Sequence, residues 1–278
     1  MAPDVMSDML KLTGRTVFVL LSVPMLVLVS AIMLGVDGHA VDLDAILAGV
    51  SGAHPLGTDA LGRDLLARLA EGLTLSLSVG VMVVLLGSVI GISVGVTAAW
   101  MGGWVDAVLM RVADIVLSFP GILLAIALAA MLGPGVENLV MALVAVGWVG
   151  FSRLARAQVL ALKHAPFVEA ALAGGSTVPY IAIRHLLPNI AAPLLVEASF
   201  GLAAVIIGEA GLSFLGVGVQ PPAASLGTMI REGTSLMLVE PLLVFWPGLI
   251  LFMLVMAVNL FGDRLRDRLD VKSEHSDV

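Results

Sequence analysis

Two glutamates, Glu197 and Glu209, interrupt the long apolar stretch of residues 190–215. A carboxylate inside a membrane-spanning segment is costly and usually marks an ion or substrate pathway. Twelve residues of helix would separate the two side chains by about 18 Å along the axis. This spacing favours positions near opposite ends of the span rather than near its centre. Both glutamates are candidates for a translocation path or gate, and structural or interfacial roles are the alternative.

A second group of candidate residues lies in the polar segment 169–189, which reads EAALAGGSTVPYIAIRHLLPN. Pro166 suits the first position of a helix, because its missing N–H would be unpaired there in any case. Gly174 and Gly175 favour a left-handed turn that ends this helix. Thr177 can then cap a second short helix. The segment is therefore predicted to form two short helices.

The first of these helices is predicted to expose mostly small residues. Glu169 lies in its first turn, where a negative charge is favourable. Positions i, i+3, i+4 and i+7 fall on one helix face and are occupied by Phe167, Ala170, Ala171 and Gly174. A helix with such a face is suited to dock in a cleft of another protein. Packing of the loop on its own bundle is the alternative.

Several kinds of chemistry are absent from the sequence. It contains no G-x-x-x-x-G-K-[ST] phosphate loop and no H-E-x-x-H. It has no cysteine, and its five histidines are scattered without metal-ligand spacing. We therefore expect no enzyme activity, no bound cofactor, no metal and no nucleic acid partner.

The composition identifies an integral membrane protein. Apolar residues make up 59% of the 278 residues and charged residues 13%, whereas soluble domains are about half apolar and a quarter charged. An apolar run must be about 20 residues long to cross the roughly 30 Å of bilayer hydrocarbon. Runs of this kind predict an all-α protein with six transmembrane helices, at residues 16–36, 74–100, 105–132, 138–159, 190–215 and 241–261. A short interfacial helix is predicted at 65–73, before the second span.

Three features inside the spans have structural interpretations. A ladder of small residues every four positions allows another helix to approach closely, and it consists of Gly87, Gly91 and Gly95. Ordinary enrichment of glycine in membrane helices is the alternative. Arg111 and Asp114 are spaced to pair on one helix face. Pro120 predicts a kink in the third span.

Basic residues predict the orientation of the chain. If the N-terminus is cytoplasmic, 11 of the 14 basic residues fall on or near the cytoplasmic side, in agreement with the positive-inside rule. Only Arg63, Arg68 and Arg231 fall outside. Both termini are then cytoplasmic, and the predicted organisation is a tail at 1–15, a first helix with its extracytoplasmic loop at 16–72, a five-helix core at 73–262 with a loop at 160–189, and a tail at 263–278.

The 169–189 segment resembles the EAA loop of binding-protein-dependent ABC importer permeases. The similarity lies in Glu169-Ala170-Ala171, Gly175 and His185-Leu186-Leu187-Pro188-Asn189. Further stretches resemble the dipeptide/oligopeptide/nickel branch, and its second, C-type permease in particular: HPLGTD at 54–59, LGRD at 61–64, MRVAD at 110–114, EAGLSFLGVGVQPP at 209–222 and NLFGD at 259–263. One departure is that residues 223–227, AASLG, lack the Trp that this branch often places before the glycine.

The resemblance implies a type I ABC importer permease fold in a bacterial inner membrane. It implies a heterodimer with a second permease, two cytoplasmic ATPase subunits that bind ATP and Mg²⁺, and an extracytoplasmic solute-binding protein. The 160–189 loop would carry the coupling helix, and the residues that dock on the ATPase would be Phe167, Glu169, Ala170, Ala171, Gly174, Gly175, His185, Pro188 and Asn189.

The solute remains open at this level. Di- or oligopeptides are the main expectation, and nickel, a metal chelate or glutathione are alternatives within the same machinery. A stand-alone ion-coupled carrier, with Glu197 as its membrane carboxylate, or a structural membrane scaffold, are alternatives from other classes.

Overall fold

A computed structural model describes residues 3–35 and 37–274 of the chain. Residues 1, 2, 36 and 275–278 lie outside the description, and with them the last position of the predicted first span and the ends of both predicted tails. Within the described residues the chain forms ten α-helices: α1 Pro3–Leu34, α2 Leu65–Met101, α3 Gly103–Leu117, α4 Gly121–Leu132, α5 Val136–Leu162, α6 Pro166–Ala173, α7 Val178–Ile181, α8 Leu187–Phe214, α9 Leu226–Thr234 and α10 Leu242–Glu274.

The long helices occur where spans were predicted. Four stretches of the described residues are long and apolar enough to cross a membrane: Leu65–Met101, Val136–Leu162, Val178–Phe214 and Leu242–Leu269. The pair α3 and α4 forms a fifth, broken span, and the apolar part of α1 is the shorter helix Val19–Leu34. The predicted all-α membrane fold is confirmed, with elements at all six predicted positions.

The second span begins earlier than the sequence indicated. Asp64 caps α2, because its carboxylate accepts a hydrogen bond from the backbone N–H of Ala67 at 2.9 Å. The helix then continues without interruption to Met101. The short interfacial helix predicted at 65–73 is therefore the first part of α2, since no proline or chain turn separates it from the span.

The third span is broken rather than kinked. The axes of α3 and α4 differ by 87° across residues 118–120. Pro120 occupies the N-cap position of α4. A proline has no N–H for the hydrogen-bond ladder, and it disfavours helical geometry at the preceding residue. The predicted kink at Pro120 is thus a complete change of direction.

Helix also forms in three segments outside the predicted spans. The loop at 216–240 includes α9, whose start is stabilised by a capping box between Ser225 and Thr228. The described parts of the tails, residues 3–15 and 263–274, continue α1 and α10. The helices thus extend past the apolar runs, because their backbone hydrogen bonds do not depend on apolar side chains.

Packing divides the buried residues among three clusters along the bundle. The first joins α1, α2, α9 and α10 and contains Leu69 and Met229. The second joins α2, α4, α5 and α8 and contains Val83 and Leu139. The third lies at the other end of the bundle, where Ala155 of α5 meets the loop that contains α6 and α7. α2 contributes to all three clusters.

Candidate functional site

The 169–189 segment forms the last turns of α6, then α7 and the start of α8. α6 begins at Pro166, as predicted. It ends in a Schellman turn, in which the N–H of Gly175 bonds to the carbonyl of Leu172 and that of Ser176 bonds to the carbonyl of Ala171. Only the second glycine of the pair is left-handed, since Gly175 has φ +81° whereas Gly174 has φ −75°.

A short π-helical stretch, Ala182–Leu186, connects α7 to α8. Pro188 lies in the first turn of α8 and has no N–H to donate to the carbonyl four residues earlier. The N–H of Leu187 accordingly reaches back five residues, to the carbonyl of Ala182. Thr177 occupies the N-cap position of α7, as predicted. Its side chain forms no capping hydrogen bond, so that part of the prediction is wrong.

One side of this loop is seated firmly on the bundle. Val168, Ile181 and Leu186 are each fully buried. They pack in the third cluster with Ala155 of α5 and Ile190 of α8. Removal of three large apolar side chains from water fixes α6 and α7 as a rigid unit at the ends of the long helices.

The other side of the loop is exposed. Of the predicted small-residue face, Ala170 and Gly174 are exposed, Phe167 is 38% exposed, and Ala171 is half-buried against the bundle. Glu169 and Gly175 are also exposed. Five large apolar side chains outside the predicted docking set are exposed on the same loop: Leu172, Val178, Tyr180, Ile183 and Leu187. Their exposure could be predicted from the sequence by their spacing from Val168, Ile181 and Leu186, the buried residues of the loop.

His185 and Asn189 organise the loop internally. The His185 ring contacts two aromatic rings, with centroid distances of 6.4 Å to Phe167 and 5.9 Å to Tyr180. Asn189 donates a hydrogen bond from its side-chain amide to the carbonyl of His185 at 2.6 Å. These two residues hold α6, α7 and the start of α8 in one arrangement.

Ion pairs join α3 to α5 near this end of the bundle. Arg156 donates two hydrogen bonds to Asp106, at 2.5 and 2.6 Å. Arg153 donates one to Asp114 at 2.5 Å. The predicted pairing of Asp114 with Arg111 is wrong, because the guanidinium of the adjacent helix reaches the carboxylate.

The glycine ladder of α2 lies against α5. A Cβ added at Gly91 would lie 2.3 Å from the carbonyl oxygen of Trp148, and one at Gly95 would lie 2.3 Å from the carbonyl oxygen of Ser152. A Cβ at Gly87 would make an ordinary contact of 3.5 Å with Gly147. The partner of the ladder is thus a helix of the same chain.

The two membrane glutamates have different surroundings. Glu197 is half-buried beside the middle of α5, where a Cβ on Gly150 would lie 2.4 Å from its Oε1. It is therefore deeper than the sequence spacing predicted, because spacing fixes a separation and not a depth. Glu209 is fully buried. It accepts hydrogen bonds from Ser76 of α2 at 2.6 Å and from Ser213 of its own helix at 2.7 Å.

Glu209 belongs to a hydrogen-bonded chain that fixes a loop. Ser213, which donates to Glu209, accepts a hydrogen bond from the N–H of Val219 at 3.2 Å. A Cβ at Gly218 would lie 2.3 Å from the Ser213 Oγ. These contacts tie α2, α8 and the loop after α8 together, which is a positioning arrangement. A role of Glu197, Glu209 or Pro120 in a path or gate stays a prediction, as does the absence of cofactors.

Comparisons with known proteins agree with the motifs. Residues 87–274 match the family described as "Binding-protein-dependent transport system inner membrane component". The chain is 42% identical over 231 residues to the glutathione transport system permease protein GsiD of Pectobacterium atrosepticum, which covers 83% of this chain and 77% of that protein. It is 39% identical over 231 residues to GsiD of Escherichia coli O6:K15:H31, with 83% and 76% covered.

Solved structures give a similar fold at low sequence identity. An inward-facing native crystal form of the MetNI methionine ABC transporter superposes with a TM-score of 0.58 at 21% identity, over 72% of this chain and 95% of that chain. A selenomethionine-soaked crystal form gives 0.59 at 20% identity over the same shares. The chain belongs to the family of binding-protein-dependent transport system inner membrane components, as an ABC importer permease of the peptide/nickel branch.

Proposed function

We propose that the exposed side of the 160–189 loop docks on a separate cytoplasmic ATPase and transmits its movement to the long helices. The supporting observation is the division of this loop into a buried and an exposed side. Val168, Ile181 and Leu186 fix it to the bundle, while Glu169 and Ala170 face outward. A rigid element with an exposed apolar surface marks a protein interface. Force applied to such an element reaches α5 and α8 directly.

The rest of the machinery follows from this docking. We place both termini in the cytoplasm, on the side of the loop, and we assign ATP and Mg²⁺ to two partner ATPases. A second, different permease completes the translocation path as a heterodimer. A solute-binding protein delivers the solute to the extracytoplasmic end, in the inner membrane of a bacterium. The basic residues that support this orientation include Arg153, Arg156 and Lys163.

We propose a small peptide as the solute, with glutathione as the first compound to test. GsiD proteins, to which this chain is 39–42% identical, are named for glutathione transport. Glutathione is a tripeptide, so this solute lies within the expectation of di- and oligopeptides. Nickel and metal chelates remain the alternatives for the same machinery.

The decisive variant is Ala170→Trp, with Ala40→Trp as its control. Both alanines are exposed, and Ala40 lies between α1 and α2, away from the loop. In proteoliposomes with the complete transporter we expect Ala170→Trp to lower ATP-driven glutathione uptake by at least about tenfold, the loss expected at the centre of an interface. The Ala40→Trp transporter should keep most of its uptake.

Gly175 is less suitable for this test. Its φ of +81° would strain most side chains, although no atom lies within 4 Å of an added Cβ. A bulky residue there would therefore mix backbone strain with a docking effect. Where the parent transporter takes up glutathione, equal uptake by the parent and the Ala170→Trp transporter would refute the docking proposal. ATP hydrolysis by the complete parent transporter without any uptake of glutathione would refute only the proposed solute.

A further inference from the structure

A cavity of about 320 Å³ lies at the end of the bundle opposite the 160–189 loop, between the starts of α2 and α10 and the helix α9. One wall carries four charged side chains: Asp59, Arg63, Arg68 and Glu232. The remaining lining is largely apolar and includes Leu65, Met229, Leu236 and Leu243. Its volume is at the lower end of the range for small-molecule sites.

Asp59 is the fixed anion of the charged wall. It accepts hydrogen bonds from the backbone N–H groups of Leu61 and Arg63, and from the guanidinium groups of Arg63 at 2.7 Å and Arg68 at 2.5 Å. Burial raises the pKa of Asp59, but the hydrogen bonds and the nearby guanidinium of Arg68 more than offset this effect and lower the pKa below its ordinary value. Asp59 is therefore an ionised and fully engaged partner.

Glu232 is the exchangeable anion of the same wall. One of its oxygens accepts from Arg68 at 2.9 Å and from Arg63 at 3.3 Å. Its side chain is 31% exposed, whereas those of Arg63 and Arg68 are 9% and 2% exposed. The hydrogen bond between Glu232 of α9 and Arg63 is thus the longest in the cluster, and Glu232 is the most exposed of the four side chains. We infer that Glu232 can turn toward water while Asp59 stays in place.

The two guanidinium groups have more donors than partners. A guanidinium carries five N–H donors. Among the described residues, the Nε of Arg68 is buried and has no hydrogen-bond partner, and the hydrogen bonds of this side chain all come from Nη1. A buried donor without a partner is costly. The donors that hold Glu232 are Nη1 of Arg68 and Nη2 of Arg63, and a carboxylate that replaces Glu232 would meet these same two groups.

We propose that Arg63 and Arg68 form a carboxylate-binding site in which a small molecule displaces Glu232. The ligand class is a free carboxylate attached to an apolar body, such as the C-terminal residue of a short peptide. The two positive charges of Arg63 and Arg68 are neutralised by Asp59 and one further carboxylate. A ligand carboxylate that takes the place of Glu232 therefore leaves the net charge around the two guanidinium groups unchanged. The fork geometry of a guanidinium is suited to carboxylates, and the apolar wall accommodates the body of the ligand.

This proposal rests on the proposed function in one respect only, the expectation that the ligand is a peptide. A volume of about 320 Å³ has room for a dipeptide-sized molecule. The cavity is separated along the chain from the loop proposed to meet the ATPase, so the two proposals can fail independently.

The test uses a single thiol at the edge of the cavity. The chain has no cysteine, and Ser235 is exposed and lines the cavity. The Ser235→Cys permease complex, in detergent without ATP or binding protein, is treated with a maleimide, and modification of this chain is followed by mass spectrometry. The probe is the dipeptide acetyl-alanyl-alanine, and its C-terminal amide is the matched control.

We expect the free acid to slow modification in a saturable way and the amide to have little effect. Glu232→Gln should lower the half-saturating concentration of the acid by about tenfold, since the ligand no longer competes with an internal carboxylate for charged hydrogen bonds. Arg63→Gln should abolish protection. Because Glu232→Gln is expected to increase the affinity for the acid, the test does not depend on an arginine variant that could fail to fold.

Three results would overturn the proposal. Equal protection by acid and amide would show that the carboxylate is not recognised. No protection in either the parent or the Glu232→Gln complex would show that there is no site. Slower modification when the solute-binding protein alone is added to the same complex, with no effect of the dipeptide, would assign the carboxylate to that protein rather than to a small molecule.

Discussion

Gly91→Ala should push α2 and α5 apart at a point where the two helices approach closely. The added Cβ would lie 2.3 Å from the carbonyl oxygen of Trp148 and 2.6 Å from the Cβ of Phe151. Ordinary contact begins at 3.4 Å, so the distance to the carbonyl has to grow from 2.3 to 3.4 Å, a shift of about 1.1 Å. The obstacle is backbone of α5, which cannot rotate away as a flexible side chain could.

The energetic balance can be estimated from two opposing effects. Overpacking a tight helix contact costs about 1–3 kcal/mol. Replacement of glycine by alanine in an open helix position gains up to about 1 kcal/mol, because alanine loses less backbone entropy. Gly91→Ala should therefore be less stable than a comparable alanine substitution without a clash, by about 1–3 kcal/mol.

Two further glycines provide matched controls. Gly87 belongs to the same ladder, but its nearest contact for a Cβ is 3.5 Å, and Gly248 in α10 has no atom within 4 Å of an added Cβ. Alanine at either position should be neutral or slightly stabilising. The three variants thus have the same chemistry and differ in the space available.

Unfolding in mixed dodecyl maltoside and SDS micelles, followed by tryptophan fluorescence, compares the three variants. The chain has four tryptophans, and Trp148 is at the contact itself. We expect Gly91→Ala to unfold at a lower SDS fraction than the Gly87→Ala and Gly248→Ala variants. If all three unfold together, the close approach of α2 and α5 at this level is refuted.

Two more predictions concern the buried polar groups. Ser76→Ala removes a hydrogen bond from the fully buried Glu209 and should lower the free energy of unfolding by about 1–3 kcal/mol. The control, Ser78→Ala, loses only a hydrogen bond to the exposed carbonyl of Leu75 and should change stability little in the same SDS assay. Equal effects of the two substitutions would contradict this account. Because the folded-state pKa of Asp59 lies below its ordinary value of 3.8, its contribution should be complete above that pH and be lost as the pH falls below it. A thermal midpoint that falls with pH below about 5 to the same extent in the parent and in Asp59→Asn would contradict the second prediction.

The sequence predicted the membrane class, the approximate places of the six spans and the family, because these depend on local composition and on contiguous motifs. An apolar run of about 20 residues has to cross the bilayer wherever its neighbours lie. Pro166, Gly175 and Pro188 likewise act on the backbone beside them. Their effects on helix boundaries could therefore be read from the sequence.

Errors arose where the outcome depended on contacts between distant residues. Asp114 pairs with Arg153 rather than with Arg111, because the arginine of α5 reaches the carboxylate in the folded chain. Ala171 was grouped with the exposed small residues, yet it turns partly toward the bundle. The link between Glu232 and Arg68 spans 164 residues, and no local spacing indicates it.

The sequence by itself determined that this chain is a helical importer permease and where the first short helix of the loop, α6, begins and ends. Only the tertiary structure decided which side of the 169–189 segment is buried, which helix meets the glycine ladder and which carboxylates the arginines bind. The physical reason is that helix formation and membrane insertion are local free-energy balances along the chain. Burial, charge pairing and cavities arise from the three-dimensional arrangement of those helices.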